Sequence, residues 1–121
     1  MAEYKTGKIC YLEIPAIDIE TSAAFYKNVF GWQYRKRGDG ALAFDDTVGQ
    51  VSGTWVTGKK PMTDTNSLII YIMLLEDINI TIDLINKHGG KIVHPVGLHP
   101  HEVTALFSDP AGNVFGLFQQ R

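Results

Sequence analysis

The chain states one pattern twice. Asp18-Ile19 is answered by Asp77-Ile78, Gly31 by Gly90 and Gly53 by Gly112, each pair 59 positions apart. In both copies an apolar extended stretch runs into an Asp-led helical stretch, a glycine follows, and further extended stretches close the copy. Such a duplication limits the possible folds. A half-sized module leaves an apolar face uncovered, so the two copies must pair, and the groove between them is a natural place for a site. At 121 residues the pair makes a single domain, large enough to bury a core without staples.

The residues predict the elements of each copy. Lys8 to Ile14 is rich in strand formers, and Pro15 stops it because proline supplies no ladder N–H. Asp18 is placed to cap a helix from about Ile19 to Phe30, where Ala23, Tyr26 and Phe30 recur at i, i+3 and i+7, and Gly31 supplies the stop. Extended stretches follow at Trp32 to Arg37, Ala41 to Asp45 and Gln50 to Thr57, separated by turn chemistry at Gly38-Asp39-Gly40 and Asp46 to Gly49. The polar run from Gly58 to Asn66 reads as a linker. It divides module one, about 7–57, from module two, about 67–120. Module two opens with Ser67 to Leu75, a nearly unbroken apolar run expected to form a strand buried on both faces. Asp77 caps its helix, with Ile78, Ile82 and Ile85 on one stripe, and His88-Gly89-Gly90 ends it, His88 having a structural role there. Lys91 to Val96, Val103 to Ser108 and Val114 to Gln119 complete a second β-α-β-β-β unit, the last two stretches joined by an Asp-Pro-Ala-Gly-Asn turn.

Composition removes several function classes. A formal net charge of −2 with eleven lysines and arginines gives no broad footprint for nucleic acid, and Tyr34-Arg35-Lys36-Arg37 reads as a solvated strand edge. No segment approaches the ~20 apolar residues that cross a bilayer, and the first residues have no signal-peptide core. One cysteine, Cys10, precludes an internal disulfide and is expected to pack in the core of a cytoplasmic protein.

Asp18, Phe25-Tyr26, Phe30-Gly31-Trp32 and the closing Ser108-Asp109-Pro110-Ala111-Gly112-Asn113-Val114-Phe115-Gly116-Leu117 resemble the vicinal oxygen chelate superfamily of glyoxalase I, bleomycin resistance proteins and extradiol dioxygenases. The resemblance spans almost the whole chain. It implies an α+β fold in which two β-α-β-β-β modules pair into an open, curled mixed sheet around a cavity, commonly in a homodimer. In metal-dependent members the ligands come from strands one and four of each module, as His, Gln or Glu. Matching this chain to that pattern puts Tyr11 and Gly116 at the two outer positions, and the 59-residue offset then supplies Ile70 and Thr57. Neighbours on the same strand faces add Glu13, Trp55, Ile72, Val114 and Phe118. One carboxylate and one phenol do not hold a divalent metal, which wants three or more His or carboxylate groups, so no cofactor is expected. The alternative is a divalent metal through His99 and His101, two apart on the proline-bounded His94 to Glu102 loop, whose spacing fits no established zinc motif. Without a metal, the histidines of that loop would contribute to a polar cavity mouth.

Two function classes follow. The first is a metal-free binding protein of the bleomycin-resistance type, holding a small, partly aromatic molecule against Tyr11, Glu13, Trp55, Thr57, Ile70, Gly116 and Phe118, with His99 and His101 at the mouth. The second is a glyoxalase- or dioxygenase-type lyase or isomerase, with a displaced metal or with acid–base chemistry at Glu13 and Tyr11. If Glu13 faces an apolar cavity, desolvation would raise its pKa and make it a candidate general base or acid. A third class, a domain whose partner is another protein, stays open because such a fold dimerises and has strand edges to manage.

Overall fold

A computed structural model describes residues 3–97 and 102–120. Ten elements follow in order: β1 (Tyr11–Pro15), α1 (Ile19–Phe30), β2 (Gln33–Lys36), β3 (Leu42–Asp45), β4 (Ser52–Val56), β5 (Tyr71–Leu74), α2 (Ile78–Lys87), β6 (Lys91–His94), β7 (Val103–Ser108) and β8 (Val114–Gln119). They form two four-stranded open mixed sheets, ordered β1-β4-β3-β2 and β5-β8-β7-β6. In each sheet the first strand of a module lies parallel to its last, and the other pairs are antiparallel. The expected pair of β-α-β-β-β modules is therefore present.

Local chemistry sets the helix limits. Asp18 accepts the Glu20 N–H at 3.2 Å and the Thr21 hydroxyl at 2.9 Å, and the Gly31 N–H closes α1 onto the Lys27 carbonyl. Asp77 caps α2 through Asn79, and the Ile78 N–H finds the Gln119 side chain of β8 at 2.9 Å, tying the helix start to its own sheet. His88 ends α2 by donating its N–H to the Leu84 carbonyl.

Strand pairing decides which side chains face the helices. On β1 the even residues Leu12 and Ile14 share a face with Gly53 and Trp55 of β4; on β5 Ile72 and Leu74 share one with Leu117 and Gln119 of β8. These inner faces join α1 and α2 in one core, in which Phe107 of β7 and Phe115 of β8 also take part. Helix α1 reaches both sheets: Tyr26 stacks on Trp32 at 4.7 Å and meets Phe115 edge-on at 5.9 Å, while Phe30 meets Phe107 at 5.6 Å. The modules thus pack with their helix-bearing sides together. Their other sheet faces turn outward.

A buried polar clamp fastens the modules. The Tyr26 hydroxyl of module one donates to Asp109 Oδ2 at 2.7 Å, and Asp109 lies in the β7–β8 turn of module two. The Asn113 amide donates to the same oxygen at 2.9 Å and to the Pro15 carbonyl at 2.7 Å, while its own carbonyl accepts the Met62 N–H of the linker. Asp109 Oδ1 accepts the N–H groups of Ala111 and Asn113. Burial pushes the Asp109 carboxyl above its ordinary value, against the pull of the Asn113, Tyr26 and Ala111 donors. Burial and the adjacent Asp109 push the Tyr26 phenol well above its own.

Three expectations need correction. Ser67 to Leu75 is not buried on both faces: β5 is an edge strand, Met73 is 62% and Leu75 79% exposed, and no helix covers the outer side. Cys10 is exposed rather than in the core, because it precedes the first strand. The first strand itself begins at Tyr11 rather than Lys8. The basic run does lie on an exposed edge, as β2.

Replacing Tyr26 by Phe deletes one of the donors that span the modules, and should cost about 1–2 kcal/mol in urea unfolding. Asp109 has a folded pKa above its unfolded one. Its contribution is therefore fully present below about pH 4, the unfolded carboxyl value, and is lost as pH rises through the folded pKa. The stability advantage of the native chain over Asp109→Asn should accordingly shrink from about pH 4 upward, and an advantage that grows over that range contradicts the assignment.

Candidate functional site

Register re-sorts the residues singled out from the sequence. Tyr11 pairs with Ser52, and Tyr71 pairs with Gly116, each pair side by side on the outer face of its sheet. Ile70, one residue before Tyr71, belongs to the inner side and packs against the core. A one-residue change of position in a strand exchanges its faces, so an odd offset of 59 cannot carry outward Tyr11 onto an outward residue of a strand whose even positions face in. Trp55 lies on the inner face too, buried among Tyr26, Phe44 and Tyr34, and reports on the core. Thr57 is exposed just past the end of β4. Phe118 stays with Gly116 on the outer face of the second sheet, beside Met73. His99 and His101 lie outside the described residues.

The outer face of the first sheet is polar. Arg37 Nη1 donates to the Tyr11 hydroxyl at 3.2 Å, and Lys59 pairs with Glu13 at 2.9 Å. Ser52 donates to Asp45 Oδ1, whose other oxygen meets Arg35. Glu13 is half exposed and ion-paired with Lys59. A pocket of ≈ 230 Å³ brings Glu13 and Ile70 together with Leu12, Met62, Asn113 and Phe115.

The second sheet presents a different surface. Tyr71 lies flat across Gly116: a Cβ on that glycine would stand 2.3 Å from the ring. Gly53 plays the same part on the inner face of the first sheet, under the ring of Phe44. Glycine at 116 therefore serves packing of an aromatic ring, where the family pattern often has a metal-binding glutamate. The outward pairs offer two phenols, one hydroxyl and no side chain at 116, a donor set that does not fit a divalent cation. Among the described residues no group of three or more His, Cys, Asp or Glu could hold one.

A cleft of ≈ 440 Å³ opens at the seam, between β5 and the β3–β4 turn. Leu12, Ile70, Ile72 and Phe115 line it together with Trp32, Phe44 and the outward Tyr71 and Met73, and Asp46 and Thr47 stand among its polar lining. Reading by the repeat offset missed Tyr71, Met73, Ser52, Arg37 and Lys59. For Tyr71 and Met73 a signal was available: matching apolar alternation, Leu12-Ile14 against Ile72-Leu74, places both on the outward set.

Comparison with known proteins supplies kinship. Residues 8–117 match the family described as the Glyoxalase/Bleomycin resistance protein/Dioxygenase superfamily. A glyoxylase-like domain-containing protein of Didymella fabae is 29% identical over 119 residues, covering 92% of this chain and 92% of that protein. A superfamily member from Sphaerobacter thermophilus has a solved structure with TM-score 0.75 at 21% identity, covering 94% of this chain and 98% of that one. An enzyme of the same superfamily from Burkholderia phytofirmans gives TM-score 0.75 at 18% identity, with 93% and 98% covered. At such identities the structural likeness speaks for the fold.

Gly116→Ala should force the Tyr71 ring off the sheet at a cost of about 1–3 kcal/mol. Aromatic NMR shifts of Tyr71 and urea unfolding check it; an unchanged ring environment would mean that the glycine is not needed for this packing.

Proposed function

The chain belongs to the glyoxalase/bleomycin resistance protein/dioxygenase superfamily, and from that premise we propose that it is a metal-free binding member whose small, partly aromatic ligand is held between two copies of the chain. The observation that carries this reading is the outward placement of both helix-free sheet faces. Tyr11 is 46%, Tyr71 41% and Met73 62% exposed, although each lies on a strand beside a packed core. The inner sides pack together through α1, so one chain cannot turn its two outer faces toward each other. A second copy can. Placing the outer face of one copy's first sheet over that of the other's second sheet would enclose phenols, a thioether and Phe118 beside the polar Glu13, Arg37 and Ser52, an apolar wall with a few placed polar groups.

The alternative is a lyase, isomerase or dioxygenase-type enzyme using Glu13 and Tyr11. What favours it is that the two share one strand face with a cation against each, Lys59 and Arg37. Docking of a second copy would desolvate that cluster, and Glu13→Gln separates the readings: lost turnover with retained binding marks the enzyme. A reducing cytoplasm suits the free, exposed Cys10. No helix among the described residues is long and apolar enough to cross a membrane.

Sedimentation equilibrium should give a dimer, and Met73→Glu should weaken its dissociation constant by roughly tenfold or more while far-UV circular dichroism stays native. Flat aromatic compounds should raise the melting temperature of the native chain and not of this variant. A chain that stays monomeric at about 100 μM, where a micromolar dimer is fully formed, sinks the proposal.

A further inference from the structure

The β3–β4 turn repeats the β7–β8 turn. Each begins with an aspartate whose carbonyl accepts a glycine N–H three residues on, Gly49 to Asp46 at 3.1 Å and Gly112 to Asp109 at 2.9 Å. In each, Oδ1 accepts two more N–H groups: Gln50 and Val51 on Asp46, Ala111 and Asn113 on Asp109. The second oxygens differ. Asp109 Oδ2 accepts the Tyr26 hydroxyl and the Asn113 amide, whereas Asp46 Oδ2 has neither a hydrogen bond nor an ion pair among the described residues.

Asp46 is half-buried and lines the seam cleft. It also borders a neighbouring groove that contains Lys8 and Arg35: Arg35 is paired with Asp45, and Lys8 is held on the carbonyls of Gln50 and Ile9, making no ion pair with Asp46 among the described residues. The cleft therefore carries on one side a carboxylate with no ion pair among the described residues. The rest is aliphatic and aromatic, from Leu12, Val51, Ile70, Ile72, Trp32 and Phe115. We infer that the seam cleft binds a small organic cation, an apolar or aromatic body bearing a protonated amine, whose ammonium donates to Asp46 while the body fills the space between Ile70, Ile72 and Leu12. The ammonium takes the place that Tyr26 and Asn113 occupy on Asp109. A charge-assisted hydrogen bond at the edge of an apolar cleft is stronger than a neutral one, and a carboxylate ligand is repelled. This site is formed within one chain along the edge strands; Tyr71 and Met73, which also line it, are shared with the outer face of the second sheet.

The test is an NMR titration of the methyl groups with 2-phenylethylamine, compared with 2-phenylethanol and 3-phenylpropionate. Shifts should appear at Leu12, Val51, Ile70 and Ile72, with the amine bound roughly tenfold or more tightly than the alcohol, the propionate not at all, and weaker amine binding at about 0.5 M salt. Asp46→Asn keeps an oxygen for the Gln50 and Val51 N–H groups and should abolish the preference for the amine. Thr47→Trp, which blocks the cleft from an exposed position, should abolish binding even if the first variant fails to fold. Equal affinity for amine and alcohol, an unaffected Asp46→Asn or Thr47→Trp, shifts confined to the outer sheet faces, or no shift at millimolar amine each overturn the inference. Sedimentation reads the dimer separately, so the two proposals fail by different measurements.

Discussion

The Asp109 carboxylate accepts four hydrogen bonds, and they come from both halves of the molecule. Two of the donors are backbone groups of its own turn; the others are Tyr26 of α1 and the amide of Asn113, which in turn holds the end of β1 and the linker. Burying a carboxyl costs several kcal/mol unless its lone pairs are satisfied. That cost makes the clamp specific, because any other docking of the modules would leave Asp109 without Tyr26. The surrounding aromatic cluster supplies the adhesion, through Tyr26 on Trp32 and Phe30 on Phe107. The polar group selects among the arrangements that such an apolar cluster would tolerate.

This constraint places the functional surfaces. With α1 lying against both sheets, the outer faces are committed to solvent or to a partner, and the strand edges β1 and β5 are left beside the seam. The seam cleft is complete in a single chain, whereas the outer faces would enclose a cavity only in the proposed dimer. The same Asp-led turn occurs twice: in module two the second carboxylate oxygen is taken up by the clamp, and in module one the aspartate lines the seam cleft.

Much of the fold was legible in the residues. Asp18, Gly31 and Asp77 marked the helix ends because caps act locally, within one turn, and the modules followed from the repeat. Val103 to Ser108 and Val114 to Gln119 were found to the residue, since the Asp-Pro-Ala-Gly-Asn turn pins both strands. The site was less legible. The 59-residue offset holds for the helix caps but breaks in the strands: Asp46 corresponds to Asp109 and Gly49 to Gly112, each 63 apart, because the β6–β7 connection is longer than the β2–β3 one. Between β1 and β5 the inward residues Leu12 and Ile14 match Ile72 and Leu74, an offset of 60, so Tyr71 was passed over in favour of Ile70, and Trp55 was assigned to a cavity although the pairing of β1 with β4 sends it into the core.

By itself the sequence determined the two modules and their caps and turns, all of which depend on residue type and short-range spacing. Only the tertiary structure decided which strand faces turn outward, that Glu13 meets Lys59, and that Asp46 is left with an unpartnered oxygen at a cleft. These depend on pairing register and on how the modules dock, and a one-residue step in either reverses the face on which every side chain of a strand appears.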